Sequence, residues 1–247
     1  MHSPVLLVIA HGSRDPRHAA TVHALTRRVQ SLRPGLRVET GFLDFNAPAV
    51  PRVLERLAAE GVRDVVALPL LLTRAFHAKA DIPAVLHRAP AVLNIRQAEV
   101  LGPSPLLLTA VQRRLYEAGV APGDRRSTGL VLASAGSTDP EAIAVIAEIA
   151  RELRHTGWCA VRPAFASASL PRTEDAVREL RAEGVRQVAV APYVIAPGFL
   201  PDRIARGAGE AGADVLADVL GASPELAQLL LRRYDRARVE QSLAVSA

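Results

Sequence analysis

Residues 5–16, VLLVIAHGSRDP, decide the fold. Six apolar residues run unbroken into His-Gly-Ser, and Asp-Pro then opens a helix-patterned stretch near 17–32. An uninterrupted Val/Leu/Ile run reads as a strand buried on both faces, the kind found in parallel sheets covered by helices. Outward from it the pattern repeats. Strand-like runs at 37–43, 65–70 and 92–96 alternate with helical stretches near 48–60, 78–88 and 104–118. Aromatics make up only 4% of the 247 residues, so Ala, Val and Leu must fill the core, which favours an α/β fold over an all-β sandwich. At 120–127 Pro, Gly and charge break the pattern, and the segment reads as a linker.

Beyond that break the sequence repeats itself. GLVLASAGSTDP (129–140) lines up with 5–16, Phe42 through Val62 lines up without a gap on Phe165 through Val185, and GVRDVVALPLLLTRAF (61–76) on GVRQVAVAPYVIAPGF (184–199). Blocks in the same order at an almost constant offset imply a duplication. The expected organisation is two similar halves, 1–122 and 123–247, facing each other across a cleft.

What the repeat fails to keep is more telling. His11 faces Ala135 in the alignment and His77 faces Leu200, so both histidines are missing from the second half. Side chains needed only to fill space have no reason to vanish as a pair, whereas one working site and one retired copy produce this pattern. Both positions follow the carboxyl ends of expected strands, where open parallel sheets bind ligands. Asp44, at the end of the second strand, converges on the same place or caps the helix near Pro48. Two imidazoles and a carboxylate form a mixed N/O set suited to borderline divalent first-row metals. The turn Gly12-Ser13-Arg14-Asp15-Pro16 is a strand-to-helix loop with a capping Ser or Asp, or one whose amides also meet an anionic ligand. His18 and His23 fall on the first helix and His2, His87 and His155 at termini or helix ends, all read as surface residues.

Composition excludes several classes. The formal charge is +5, but the basic residues are scattered arginines, with Lys79 the only lysine, and no basic run interleaved with aromatics suggests nucleic-acid binding. The single cysteine, Cys159, excludes an intramolecular disulfide and a paired-cysteine zinc site; it is expected to be a small buried strand residue in a reducing cytosol. The N-terminus shows no secretory signature, and the longest apolar run, 65–72, is too short to span a bilayer. A cytoplasmic protein without membrane association is the expectation.

The blocks LLVIAHGSRDPR, FLDFNAP and VVALPLLLTRAFHAKADIP, in this order, resemble the sirohydrochlorin chelatase family, the class II chelatases of the CbiX and SirB type. The resemblance covers essentially the whole chain. It implies a pair of Rossmann-like or flavodoxin-like subdomains with the tetrapyrrole in the cleft between them. The family's two metal-binding histidines carry over to His11 and His77, and its nearby acidic residue, usually Glu, falls on Asp44.

The activity implied is insertion of a divalent metal into sirohydrochlorin, with Fe2+ favoured over Co2+ and nickel a further candidate. No cofactor beyond the metal substrate is expected. The metal binds first to neutral His11 and His77 with Asp44 offsetting its charge, and a released histidine or Asp44 takes the pyrrole protons. Arg14, Arg74, Gly12 and Ser13 are the expected contacts to the substrate's peripheral carboxylates, while Lys79 and Asp81 anchor the helix after His77. Corrinoid-directed cobaltochelatase activity and a noncatalytic metal or tetrapyrrole carrier are the alternatives. A histidine phosphatase wants Arg directly before the His, where Ala10 stands. The chain is expected to act as a monomer or homodimer.

Overall fold

A computed structural model describes residues 3–74 and 77–245. The chain runs β1 (Val5–Ala10), α1 (Pro16–Leu32), β2 (Val38–Phe42), α2 (Val50–Ala59), β3 (Asp64–Pro69), a π-helical turn (His77–Asp81), α3 (Ile82–His87), β4 (Asn94–Gln97) and α4 (Pro105–Glu117). A 3-10 turn (Pro122–Ser127) follows, then β5 (Thr128–Ser134), α5 (Pro140–His155), β6 (Ala160–Phe165), α6 (Thr173–Ala182), β7 (Gln187–Tyr193), α7 (Phe199–Glu210), β8 (Val215–Leu216) and α8 (Pro224–Val245). Two four-stranded sheets result, ordered β2-β1-β3-β4 and β6-β5-β7-β8, with every pairing parallel. No helix among the described residues is long and apolar enough to cross a membrane.

In the first sheet β1 is buried along its whole length. Its alternate residues Val5, Leu7 and Ile9 pack with Val50, Val53, Leu54 and Leu57 of α2 and with Ile82. Strand alternation turns Leu6 and Val8, both fully buried, to the opposite face. The second sheet repeats the arrangement, with Val131 and Ala133 against Ala176, Val177 and Leu180 of α6 and Ile204 and Ala208 of α7. Helix starts follow from local chemistry. Asp15 and Asp139 each accept a hydrogen bond from the backbone N–H two residues on, with Pro at the first helical position.

The compact units follow a different division from the sequence repeat: one is 1–102 with 222–247, the other 103–221. Helix α4 therefore packs on β7, and α8 packs on α1, β3 and β4. Both crossings occur at equivalent turns, Gly102-Pro103-Ser104-Pro105 and Gly221-Ala222-Ser223-Pro224, where a serine caps the helix that follows. Residues 120–127 lie within the second unit, where the Cys159 N–H donates to the Arg125 carbonyl and Thr128 Oγ1 to that of Asp124. Cys159 is exposed just before β6, not buried on a strand as expected.

Helix α8 is fastened to the first unit by polar contacts as well as apolar ones. Arg33 donates to both oxygens of Asp235 at 2.6 and 2.8 Å, which raises the Arg33 pKa. The buried Tyr234 hydroxyl donates to the Pro4 carbonyl at 2.7 Å. Replacing Tyr234 with Phe keeps the ring and removes this bond. Loss of about 1 kcal/mol and of about 2–4 °C in Tm is expected, measured by thermal denaturation; an unchanged Tm would show that the hydroxyl does not fasten the helix.

Candidate metal centre

Parallel pairing brings the carboxyl ends of β2, β1 and β3 side by side, with β1 in the middle. His11 follows β1 directly, Asp44 follows β2 by two residues, and His77 opens the π-helical turn after β3. The His77 side chain, like residues 75 and 76, lies outside the described residues. Among the described residues no three His, Cys, Asp or Glu side chains form a metal-binding group.

His11 and Asp44 are locked together through the backbone. The Asp44 N–H donates to the His11 carbonyl at 2.9 Å, and between them Gly12 adopts φ +98°. A Cβ at Gly12 would stand 1.9 Å from the Asp44 carbonyl oxygen, so only glycine permits this approach. Asp44 does not cap α2, whose N-cap is Ala49 without a side-chain bond. Its Oδ1 instead accepts from the Phe45 N–H at 2.8 Å. The carboxylate is exposed, and its second oxygen makes no hydrogen bond among the described residues.

The His-Gly-Ser-Arg-Asp turn is cross-braced. Asn46 Oδ1 accepts from the Ser13 N–H at 2.8 Å and Ser13 Oγ from the Asp15 N–H at 3.1 Å, so two of the turn's amides are committed to the protein. Asp15 caps α1 and holds Arg17 through both its oxygens. Arg14 extends into solvent with its guanidinium 5.3 Å from the Phe45 ring centroid, and the same ring meets that of His11 edge-on at 6.2 Å and 77°. Arg74 is exposed; Lys79 lies in the π-helical turn, and Asp81 sits at the N-cap of α3 without a capping side-chain bond.

Two histidines read as surface residues are partly buried. Burial lowers the pKa of His18, and proximity to His11 lowers it further. Its Nδ1 is buried without a hydrogen-bond partner among the described residues. His23 sets its ring edge-on to Phe42, 5.7 Å away. His87 and His155 are exposed at the ends of α3 and α5.

The second half keeps the frame of this site without its chemistry. Gly136 has φ +92° and faces the Ser167 carbonyl oxygen at the same 1.9 Å, and the Ser167 N–H donates to the Ala135 carbonyl. Ala168 has φ 59° where Phe45 has φ 60°. Sequence reasoning missed Phe45, Asn46 and His18. The first two had a signal, since the aligned residues are Ala168 and Ser169.

Comparison with known proteins agrees with this duplicated frame. Sirohydrochlorin cobaltochelatase of Priestia megaterium is 28% identical over 206 residues, 81% of this chain and 66% of that protein, so the chain spans slightly less than two thirds of its length. Sirohydrochlorin ferrochelatase of the same organism is 28% identical over 235 residues, covering 91% of this chain and 87% of that one. The structure of SirB from Bacillus subtilis with Fe3+ superposes with a TM-score of 0.83 at 25% identity, covering 97% of each chain. A family model described as CbiX matches residues 5–118 and, a second time, 129–237. Matched once by each half of its duplication, this chain belongs to the CbiX family.

Proposed function

We propose that the protein is a sirohydrochlorin chelatase that inserts Fe2+, with Co2+ as the alternative metal, into the tetrapyrrole. The observation that carries the reading is the loss of His11, His77, Arg14 and Phe45 together from a second half that retains the same strained backbone. The chemistry is assigned to the N-terminal repeat half, 1–122, with 123–247 as its degenerate copy. The relatives named above are ferro- and cobaltochelatases, and the structural relative holds iron.

The metal ion is a substrate, so the site must bind it and let it go. Two neutral imidazoles supply nitrogen donors of borderline softness, and Asp44 supplies compensating charge with an oxygen left over. Open coordination positions are then filled by the incoming pyrrolic nitrogens. Two N–H protons must leave the macrocycle as the metal enters. A histidine released from the metal, since an imidazole ordinarily titrates near neutrality, or Asp44 is suited to accept them and pass them on to water. Arg14 and Arg74, with the Ser13 hydroxyl and the Gly12 amide, are assigned to the substrate's carboxylates. Lys79 and Asp81 are assigned to holding α3. Such a reaction, between a small anionic macrocycle and an ion, calls for no nucleic acid, membrane or redox partner, and the cytoplasm is its proposed setting.

Mixing the protein with sirohydrochlorin and either Fe2+ or Co2+ tests this directly. The absorption change of metalation should run well above the protein-free rate, faster with Fe2+. Binding of metal and macrocycle with no acceleration would make the protein a carrier.

A further inference from the structure

Phe45 is placed in a way that neither folding nor metal binding requires. It is a non-glycine residue at φ +60°, a conformation that aromatic side chains rarely adopt. The backbone is held there by Asp44, whose side chain accepts from the Phe45 N–H and whose carbonyl accepts from the Asn46 N–H at 2.7 Å. The result is a ring 51% exposed at the carboxyl edge of the sheet, while Phe42, three residues earlier, is fully buried.

That ring has the His11 imidazole at its edge and the Arg14 guanidinium near it. Ala168 shows that the same backbone forms without any ring. His11, Arg14 and Phe45 correspond to Ala135, Thr138 and Ala168, so the aromatic ring departs together with the imidazole and the guanidinium. If the ring served only the loop, the retired half would have the same need of one.

Building on the chelatase reading, we infer that Phe45 is a substrate-binding residue: its ring packs against the tetrapyrrole and seats it beside His11, while Arg14 takes a peripheral carboxylate. A flat conjugated macrocycle offers the π surface that an exposed ring favours in offset or edge-on contact. A carboxylate a few ångströms from that surface meets a guanidinium already held against the ring. The macrocycle's position is thus set by an apolar contact and a charged one, and the metal-binding atoms need take no part in recognising it.

The test compares Phe45→Gly, Phe45→Tyr and the control Ala168→Gly. Sirohydrochlorin binding is titrated without metal, Co2+ binding is titrated without macrocycle, and Tm is measured. Phe45→Gly should weaken sirohydrochlorin binding about tenfold, leave Co2+ affinity unchanged, and keep Tm at or above wild type, since glycine suits φ +60°. Phe45→Tyr should bind like wild type, and Ala168→Gly should leave sirohydrochlorin binding untouched. Wild-type macrocycle affinity in Phe45→Gly, or a Tyr variant as weak as the Gly variant, would overturn the assignment. So would a parallel loss of Co2+ affinity, which would make the ring a prop for His11. Because the titration needs no turnover, it decides the role of Phe45 even if wild-type metalation fails and the chelatase reading falls.

Discussion

His11→Ala and His77→Ala should each lower sirohydrochlorin metalation by about 100-fold or more while leaving Tm within about 2 °C of wild type. In the proposed site, which relies on two imidazoles, removing one donor leaves the metal with water in its place. That loss exceeds the tenfold to hundredfold typical of disturbing a ligand's supporting partner. Stability should be spared because His11 is only partly buried beyond the end of β1, and the backbone at His77 starts a π-helical turn, a local geometry frequent at functional sites. Asp44→Asn tests the charge separately. It keeps an oxygen able to accept from the Phe45 N–H and removes only the negative charge, so the loop should survive while Co2+ binding weakens. Full turnover in both histidine variants would remove the centre from this end of the sheet.

The elements legible in the sequence were those whose burial leaves a one-dimensional trace. Strand β1 runs over Val5–Ala10, the bounds read from its apolar run, because a strand buried on both faces has no polar position to blur its ends. The stretch near 78–88 was read as one helix but is a π turn followed by α3. Pro83, near the start of α3, has no N–H to donate to a preceding turn. The exchange of α4 and α8 between units was not foreseen. Periodicity reports that a helix has an apolar face, but not which sheet that face covers. The Gly-x-Ser-Pro turns at 102–105 and 221–224 mark both crossings and were visible all along.

The candidate site was legible to the extent that the duplication supplied an internal comparison. Aligning the halves singled out His11 and His77 without any coordinates. Nothing in the letter F announces a left-handed backbone, so Phe45 passed as one more apolar residue after β2. His18 and His23 were misplaced for a related reason. A polar residue on an amphipathic helix is assigned to solvent by default, yet the start of α1 carries His18 toward His11, and Phe42 covers one side of His23.

Gly12→Ala should be the most damaging small substitution in the first unit, and Gly136→Ala its counterpart in the second. Each glycine holds a positive φ, and at each a methyl group would stand 1.9 Å from a carbonyl oxygen on the neighbouring loop. The carbonyl cannot swing away cheaply, because its own residue donates a backbone hydrogen bond across the same gap, Asp44 to His11 and Ser167 to Ala135. Backbone strain and a displaced loop together should cost about 3 kcal/mol or more, a fall of roughly 6–12 °C in Tm. Activity separates the two variants. Gly12→Ala drives Asp44 away from His11 and should suppress metalation beyond what its lost stability explains, assayed well below its Tm. Gly136→Ala distorts a loop with no histidine to misplace, and at the same temperature should metalate at a rate close to wild type. If Gly12→Ala matched wild type in both Tm and turnover, the backbone clasp between β1 and β2 would not be what holds the Asp44 loop against His11.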